Sequence, residues 1–290
     1  KQELYPMESN PTVFFNGGFM KKEDVCISPD DRGFLFGDGV YEVIKIYEGE
    51  PFEIDTHLVR LARSLAEVKM KEFDVMQLEG VCRTLIEKND LTGRDASCYI
   101  QITRGAAVRK HPFPPRETKL TVYMAVTPYE GDKRKKEQGV NVILRPDIRW
   151  NRCDIKSVSL LPNVLACEEA NAEEAEEILF VRDGAVTEGS HTNFCAVFDN
   201  VLHTHPEGPN ILPSVTRDVV LRLCSRVGIE TKLYPVLESR LEKADEMMIL
   251  GTHTEITPVV RYNGKPVRDG KPGPVTRKLQ EAFTALTRNR

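Results

Sequence analysis

The run Val40-Tyr41-Glu42-Val43-Ile44-Lys45-Ile46-Tyr47 is rich in β-branched and aromatic residues, with turn-forming sequence at both ends. Gly37-Asp38-Gly39 precedes it and Glu48-Gly49-Glu50-Pro51 follows it, so it reads as a strand of fixed length. That strand commits the first part of the chain to a sheet. The sequence around it, 12–53, is β-rich, with Asn16-Gly17-Gly18 as a hairpin turn. The glycines of Arg32-Gly33-Phe34-Leu35-Phe36-Gly37-Asp38-Gly39 lead into this strand, whereas a dinucleotide fingerprint opens a helix. They therefore read as backbone geometry and not as a phosphate loop.

Beyond residue 53, Asp55 or Thr56 is expected to cap a helix carrying Leu58, Leu61, Ala62, Leu65 and Val68 on one face. A second helix is expected over 75–88, then strands over 97–104 and 120–127, separated by a loop that Pro112, Pro114 and Pro115 stiffen. Residues 128–139, with Gly131 and the basic run Lys133-Arg134-Lys135-Lys136, read as a linker with a solvated charged face. After it come strands over 140–145, 178–182, 193–198, 201–205 and 247–250. Helices are expected over 162–174, over 216–227 with Gly228 as the stop, and from 274 onward. Mixed strands and helices in two halves predict an α+β protein of two domains. The expected division is a smaller N-terminal α/β domain, 1–130, and a larger C-terminal domain, 131–290, that carries Lys156.

Several function classes are set aside by composition. A formal net charge of -4 without a long basic block argues against a nucleic-acid partner. No apolar run approaches the roughly 18 residues that a membrane span needs. Lys1-Gln2-Glu3-Leu4-Tyr5-Pro6 lacks the apolar region of a secretion signal. The 7 cysteines are odd in number and lack any CxxC spacing, so reduced thiols in a cytoplasmic setting are expected. His203-Thr204-His205 has no nearby carboxylate or thiol pair, and no metal is expected.

Three stretches carry chemistry. Lys156 follows Cys153-Asp154-Ile155 and precedes Ser157-Val158-Ser159-Leu160-Leu161, so its amine is expected among apolar and neutral neighbours. Such surroundings destabilise the ammonium by roughly 3 to 5 kcal/mol and favour the nucleophilic amine of a Schiff-base lysine. Thr187-Glu188-Gly189-Ser190 places a carboxylate at a glycine turn between strands. Ile211-Leu212-Pro213-Ser214-Val215-Thr216-Arg217-Asp218 opens a helix, whose free amides and hydroxyl suit a phosphate. Gly251-Thr252-His253-Thr254 offers further hydroxyls, and Arg60 a counter-charge. An amine, a carboxylate and a phosphate cradle are what pyridoxal 5'-phosphate requires.

The chain resembles the fold-type IV pyridoxal-phosphate enzymes, which include branched-chain and D-amino-acid aminotransferases and aminodeoxychorismate lyase. The D-amino-acid aminotransferase branch is the nearest. The matching stretches are Arg32-Gly33 with Phe36-Gly37-Asp38-Gly39-Val40-Tyr41-Glu42-Val43, Arg149-Trp150 with Arg152-Cys153-Asp154-Ile155-Lys156-Ser157, and Thr187-Glu188-Gly189-Ser190. Thr216-Arg217-Asp218-Val219-Val220 and Glu255-Ile256-Thr257-Pro258-Val259 complete the set, in order along the chain.

The resemblance implies a homodimeric, two-domain α+β enzyme that moves an amino group between a D-amino acid and a 2-oxo acid such as 2-oxoglutarate or pyruvate. It implies that Lys156 is the Schiff-base lysine and the base that moves the Cα proton, and that Glu188 pairs with the pyridine nitrogen. Arg60, Val215, Thr216 and Thr252 would hold the phosphate, Leu212 would lie against the cofactor ring and Tyr41 would line the substrate side. Arg109 and His111, two apart in a proline-bearing loop, match the family's carboxylate trap, which serves the neighbouring subunit's site. A branched-chain L-amino-acid aminotransferase, in which this Arg-x-His loop is not expected, and an aminodeoxychorismate lyase are the alternatives. The chain departs from the pattern at Ser190-His191-Thr192, where serines are usual, and at Gly251 and His253, which replace small hydroxyl residues.

Overall fold

The structure, a computed structural model, describes residues 10–288, so the amino-terminal reading above lies outside the described residues. The chain divides into two compact units. One runs up to Glu130 and takes in Ile155–Ser159; the other comprises Gly131–Asp154 and the chain from Leu160 onward.

The first unit is built on an antiparallel sheet of β1 (Thr12–Phe15), β2 (Gly18–Lys21), β3 (Gly39–Tyr47), β4 (Glu50–Pro51), β5 (Ala96–Thr103) and β6 (Thr121–Pro128). Its strand order is β2-β1-β6-β5-β3-β4. Asn16 and Gly17 both take positive φ, 48° and 96°, which gives the two-residue turn whose twist matches its strands. The helices are α1 (Arg32–Phe36), α2 (Ile54–Glu67) and α3 (Leu78–Lys88). Leu58, Leu61 and Leu65 of α2 and Leu78, Cys82 and Leu85 of α3 bury against Val40, Ile44, Ile46, Ile100 and Ile102 of the sheet. Because side chains alternate along a strand, the parity that buries Val40, Ile44 and Ile46 also turns Glu42 into this core.

Two local expectations change. The glycine-rich stretch before β3 folds into a one-turn helix, with Asp31 Oδ1 accepting from the Gly33 amide at its start and Gly37 in the left-handed region at its end. Helix α2 is not capped at Asp55 or Thr56. It starts after Glu53, whose φ of 52° turns the chain directly out of β4.

Lys156 was expected in the second domain, but its segment packs with the first unit. The Tyr41 amide donates to the Lys156 carbonyl and the Val158 amide to the Gly39 carbonyl, each at 3.0 Å. Strand β4 pairs only with Ile46 and Tyr47, at the far end of β3. The lysine segment takes up the backbone groups that β4 leaves at the near end, and Lys156 N also donates to the buried Ser64 Oγ at 3.3 Å.

The second unit holds β7 (Val140–Pro146), β8 (Glu177–Arg182), β9 (Ala185–Gly189), β10 (Asn193–Phe198), β11 (Val201–Thr204), β12 (Thr231–Leu233), β13 (Val236–Leu237), β14 (Glu246–Gly251), β15 (Glu255–Tyr262) and β16 (Lys265–Pro266). Strands β10-β14-β15-β7-β8-β9 follow one another, and β9 pairs again with β10, so six strands close a ring. Glu188 opposite Asn193 makes that closing pair. Alternate residues, among them Val142, Leu144, Leu179, Phe194, Ala196, Met247 and Ile249, form the core. The helices are α4 (Lys133–Gln138), α5 (Leu161–Ala172), α6 (Val215–Val227) and α7 (Pro274–Arg288). The expected linker thus contains α4, capped by Asp132, with Lys135 paired to Glu176 and Lys136 to Glu255. The glycine turn expected at Glu188 is also corrected, since Glu188 lies within β9.

Candidate active site

In the first unit, the Lys156 Nζ stands 4.3 Å from the centroid of the Tyr41 ring. Among the described residues no acidic side chain pairs with this amine. Nearby, Glu42 is completely buried and receives Arg60 Nε at 2.9 Å and Arg60 Nη2 at 2.7 Å, with His57 Nδ1 at 3.1 Å. Burial alone would raise the Glu42 carboxyl, but Arg60 and His57 outweigh it and hold the group well below the usual carboxylate range. His57 is itself lowered: burial is the largest cause, Glu42 opposes it, and the charges of Arg60 and Lys156 add to the lowering. Arg60 is accordingly a buried arginine engaged with a core carboxylate, not a surface residue.

Arg109 and His111 are both exposed, on the loop between β5 and β6. One ring braces both. The Arg109 guanidinium is 5.0 Å and the His111 ring 5.5 Å from the ring centroid of Phe36. Arg32 supports the loop backbone, with Nη1 donating to Lys110 O at 2.6 Å and Nη2 to His111 O at 3.4 Å. Asp38 Oδ2 in turn accepts from Arg32 Nε and from Arg104 Nε, each at 2.8 Å. Burial opposes ionisation of Asp38, but the two arginines prevail and its pKa is lowered. Arg32, Phe36, Asp38 and Arg104 are thus positioning residues that sequence reasoning gave no role. The visible signal was the spacing that sets Arg32 and Asp38 on either side of a single helical turn.

In the second unit, Glu188 is buried on β9. Its Oε1 receives Arg149 Nη1 at 2.5 Å, and its Oε2 accepts from Asn193 Nδ2 and the Leu212 amide, each at 3.0 Å. Arg149 is fixed from behind by Asp147, Nε to Oδ1 and Nη2 to Oδ2 at 2.9 Å each, and lies over the Phe180 ring. Burial pushes the Glu188 carboxyl up to about 7 even though Arg149 opposes the shift. Leu212, expected against a cofactor ring, therefore also supplies a backbone donor to Glu188.

Shortly after it, Ser214 Oγ accepts from Arg217 N at 3.2 Å and caps α6. Val215 and Thr216 are the first two residues of that helix, and amides at those positions have no acceptor within a helix. Thr252 lies half-buried in the turn between β14 and β15. The structure thus groups Lys156 with Tyr41, Arg109 with His111, and Glu188 with Leu212 and the start of α6, while Arg60 is gathered around Glu42. At Gly251 an added Cβ would meet Thr254 at 3.5 Å, an ordinary contact, so the missing hydroxyl residue is not excluded by space.

Residues 39–262 match the family model described as amino-transferase class IV. The chain is 40% identical over 272 residues to the D-alanine aminotransferase of Staphylococcus aureus (strain COL), covering 93% of this chain and 96% of that protein. It is 39% identical over 273 residues to the D-alanine aminotransferase of Bacillus licheniformis, covering 93% of this chain and 95% of that one. Its structure is similar to the branched-chain amino acid aminotransferase of Escherichia coli, with a TM-score of 0.89 at 28% identity over 96% of this chain and 95% of the other.

Proposed function

The chain belongs to the class IV aminotransferases, and we propose that it moves an amino group between a D-amino acid and a 2-oxo acid such as 2-oxoglutarate or pyruvate. The observation that carries the stereochemical part of this reading is the pair Arg109 and His111, exposed together on a loop braced by Phe36 and Arg32. A guanidinium presents two parallel donors to a carboxylate, and an imidazole two residues along adds a third. Holding the carboxylate on one side determines which face of Cα meets the base.

The residues fit pyridoxal 5'-phosphate, on which enzymes of this class depend. The fit rests on an amine without an acidic partner at Lys156, a carboxylate held by three donors at Glu188, and unmet amides at the start of α6. When bound, the cofactor supplies an electron-withdrawing ring that acidifies the Cα–H bond of the amino acid. Lys156 would carry it covalently and, once displaced by the incoming amine, take the Cα proton and return it to the cofactor's aldehyde carbon, across the amino nitrogen. Tyr41, whose ring lies against Lys156 Nζ, would keep that amine aligned. Glu188 would hold a proton at the ring nitrogen, and Leu212 would lie against the ring. Val215, Thr216 and Thr252 would receive the phosphate, with Arg60 adding positive charge.

The reading extends to a homodimer in which Arg109 and His111 serve the site of the second copy. It extends also to a cytoplasmic location, supported by 7 free cysteines. Among the described residues no helix is long and apolar enough to cross a membrane. A coupled assay offering D- and L-amino acids separately with 2-oxoglutarate tests the substrate class. Turnover of D-alanine or D-glutamate is expected, and turnover of L-leucine without D-alanine would replace this reading by a branched-chain one.

A further inference from the structure

Three side chains of metal-ligand type converge in the second unit, and none of them has a part in the transamination described above. Cys167 is exposed on α5, Glu177 opens β8 fully buried, and His191 sits in the turn between β9 and β10 with 56% of its side chain exposed. Their ligand atoms all lie within 4.8 Å of one another. His191 Nδ1 is 3.1 Å from Glu177 Oε2 and 3.9 Å from Cys167 Sγ. We propose that Cys167, Glu177 and His191 form a binding site for a zinc-class divalent cation, with water completing the fourth position.

Geometry supports this first. Zinc bonds of about 2.3 Å to sulfur and about 2.0 Å to nitrogen and oxygen give tetrahedral edges of roughly 3.3 to 3.6 Å. The nitrogen–oxygen and sulfur–nitrogen edges here differ from those lengths by only a few tenths of an ångström. A thiolate, an imidazole and one carboxylate favour zinc-class ions over magnesium or calcium, which prefer oxygen-only shells.

Electrostatics supports it independently. Glu177 is a fully buried carboxylate, and among the described residues it pairs with no lysine or arginine; His191 is its one basic partner. A buried carboxylate is strongly compensated by a bound cation. The arrangement does not act as a proton relay, because Nδ1 faces both Cys167 and Glu177, whereas a relay engages the two nitrogens separately.

A hydroxyl now lies among the three donors. Ser190 Oγ is 2.9 Å from Cys167 Sγ and 3.0 Å from His191 Nδ1, and it donates to Glu177 Oε1. An entering cation would turn this hydroxyl aside. Glu177 would keep the Ile178 and Ser190 amides on Oε1 and the Thr192 hydroxyl on Oε2. The exposed sides of Cys167 and His191 give the ion a way in.

The test is a titration of the reduced, cofactor-loaded protein with Co2+ alone, followed by Zn2+. One cobalt per chain is expected, with the intense visible bands of a four-coordinate ion at wavelengths beyond the cofactor's absorbance, bleached by zinc. Cys167→Ser and His191→Asn, both at exposed positions, should each remove the bands and weaken zinc binding by at least about 100-fold, more than the loss of an outer-shell partner. Ser190→Ala should retain the bands. Absence of the bands in the unaltered protein, or bands that persist in both ligand variants, would overturn the site.

Discussion

Arg149 Nη1 meets Glu188 Oε1 at 2.5 Å with both side chains buried, so the carboxylate proposed to pair with the cofactor's ring nitrogen is charge-paired within the protein itself. Glu188 is thereby held between two opposing effects. Burial pushes its carboxyl up to about 7, and the guanidinium limits how far the shift goes.

For Glu188→Gln we expect bound cofactor to be retained, while kcat and kcat/KM fall together by about 100-fold or more, as when a preorganised charge interaction is removed from a transition state. Steady-state kinetics of the variant decide this, and unchanged turnover would leave Glu188 a strand residue only. A thermodynamic signature accompanies it in the cofactor-free protein. The folded pKa of about 7 lies above the ordinary value of 4.5, so between those values the folded state binds the extra proton. The Glu188 contribution to stability therefore falls as pH rises from 4.5 through 7. Unfolding free energies measured across that window should fall more steeply with pH in the unaltered protein than in Glu188→Gln.

Arg60→Met should lower stability at pH 7 by about 3 to 5 kcal/mol, the cost of leaving a buried carboxylate without its partner. The loss should appear with and without cofactor, because Glu42 needs Arg60 in both states. If Arg60 served a phosphate only, urea unfolding of the cofactor-free protein would be unaffected. The folded pKa of Glu42 is depressed, so its stabilising contribution is complete above about pH 4.5 and is lost as pH falls through the folded value.

Arg109→Ala should weaken use of D-amino acids and 2-oxo acids alike, by about ten- to a hundred-fold, since each hydrogen bond to a charged carboxylate contributes roughly 1.5 to 3 kcal/mol. The cofactor's absorbance should stay as it is. Arg32→Met, which withdraws donors from the Lys110 and His111 carbonyls, should reproduce part of this loss by raising KM. A kinetically silent Arg109→Ala would remove the D-amino-acid assignment and leave the family intact.

Borohydride reduction of the cofactor-loaded protein should fix the cofactor on Lys156 alone. Peptide mapping that finds it on another lysine would break the reading of Cys153-Asp154-Ile155-Lys156-Ser157.

Much of this was legible because its signals are local. Strand β3 announced itself by β-branched residues between glycine turns, and α6 by Ser214 before it and Gly228 after it. Strand β9 was not, since five residues that include Thr187, Glu188 and Gly189 show no apolar alternation, and their strand state comes from partners on both sides. Strand β15 was hidden by Pro258, which sits opposite Met248 inside the ladder. Within the proposed site, Lys156 and Glu188 stood out through their motifs. Arg149 lay in the same stretch, yet burial alone separates it from an ordinary surface arginine. Glu42 had a signal that went unread, a carboxylate with the same parity as Val40 and Ile44. Cys167, Glu177 and His191 come from three separate elements, so no short spacing could join them.

The excursion of Ile155–Ser159 into the first unit also bears on how the chain is made. A nascent chain extends from its amino terminus, and domains generally close as soon as their own sequence has emerged. Here that order is interrupted. When Glu130 leaves the ribosome the first unit has its whole sheet, but the backbone groups of Gly39 and Tyr41 still await Lys156 and Val158. Completion must wait for Ser159, by which time the second unit has already begun. Neither unit is therefore a portable module, and a cut at residue 130 would separate β3 from the segment that carries the lysine.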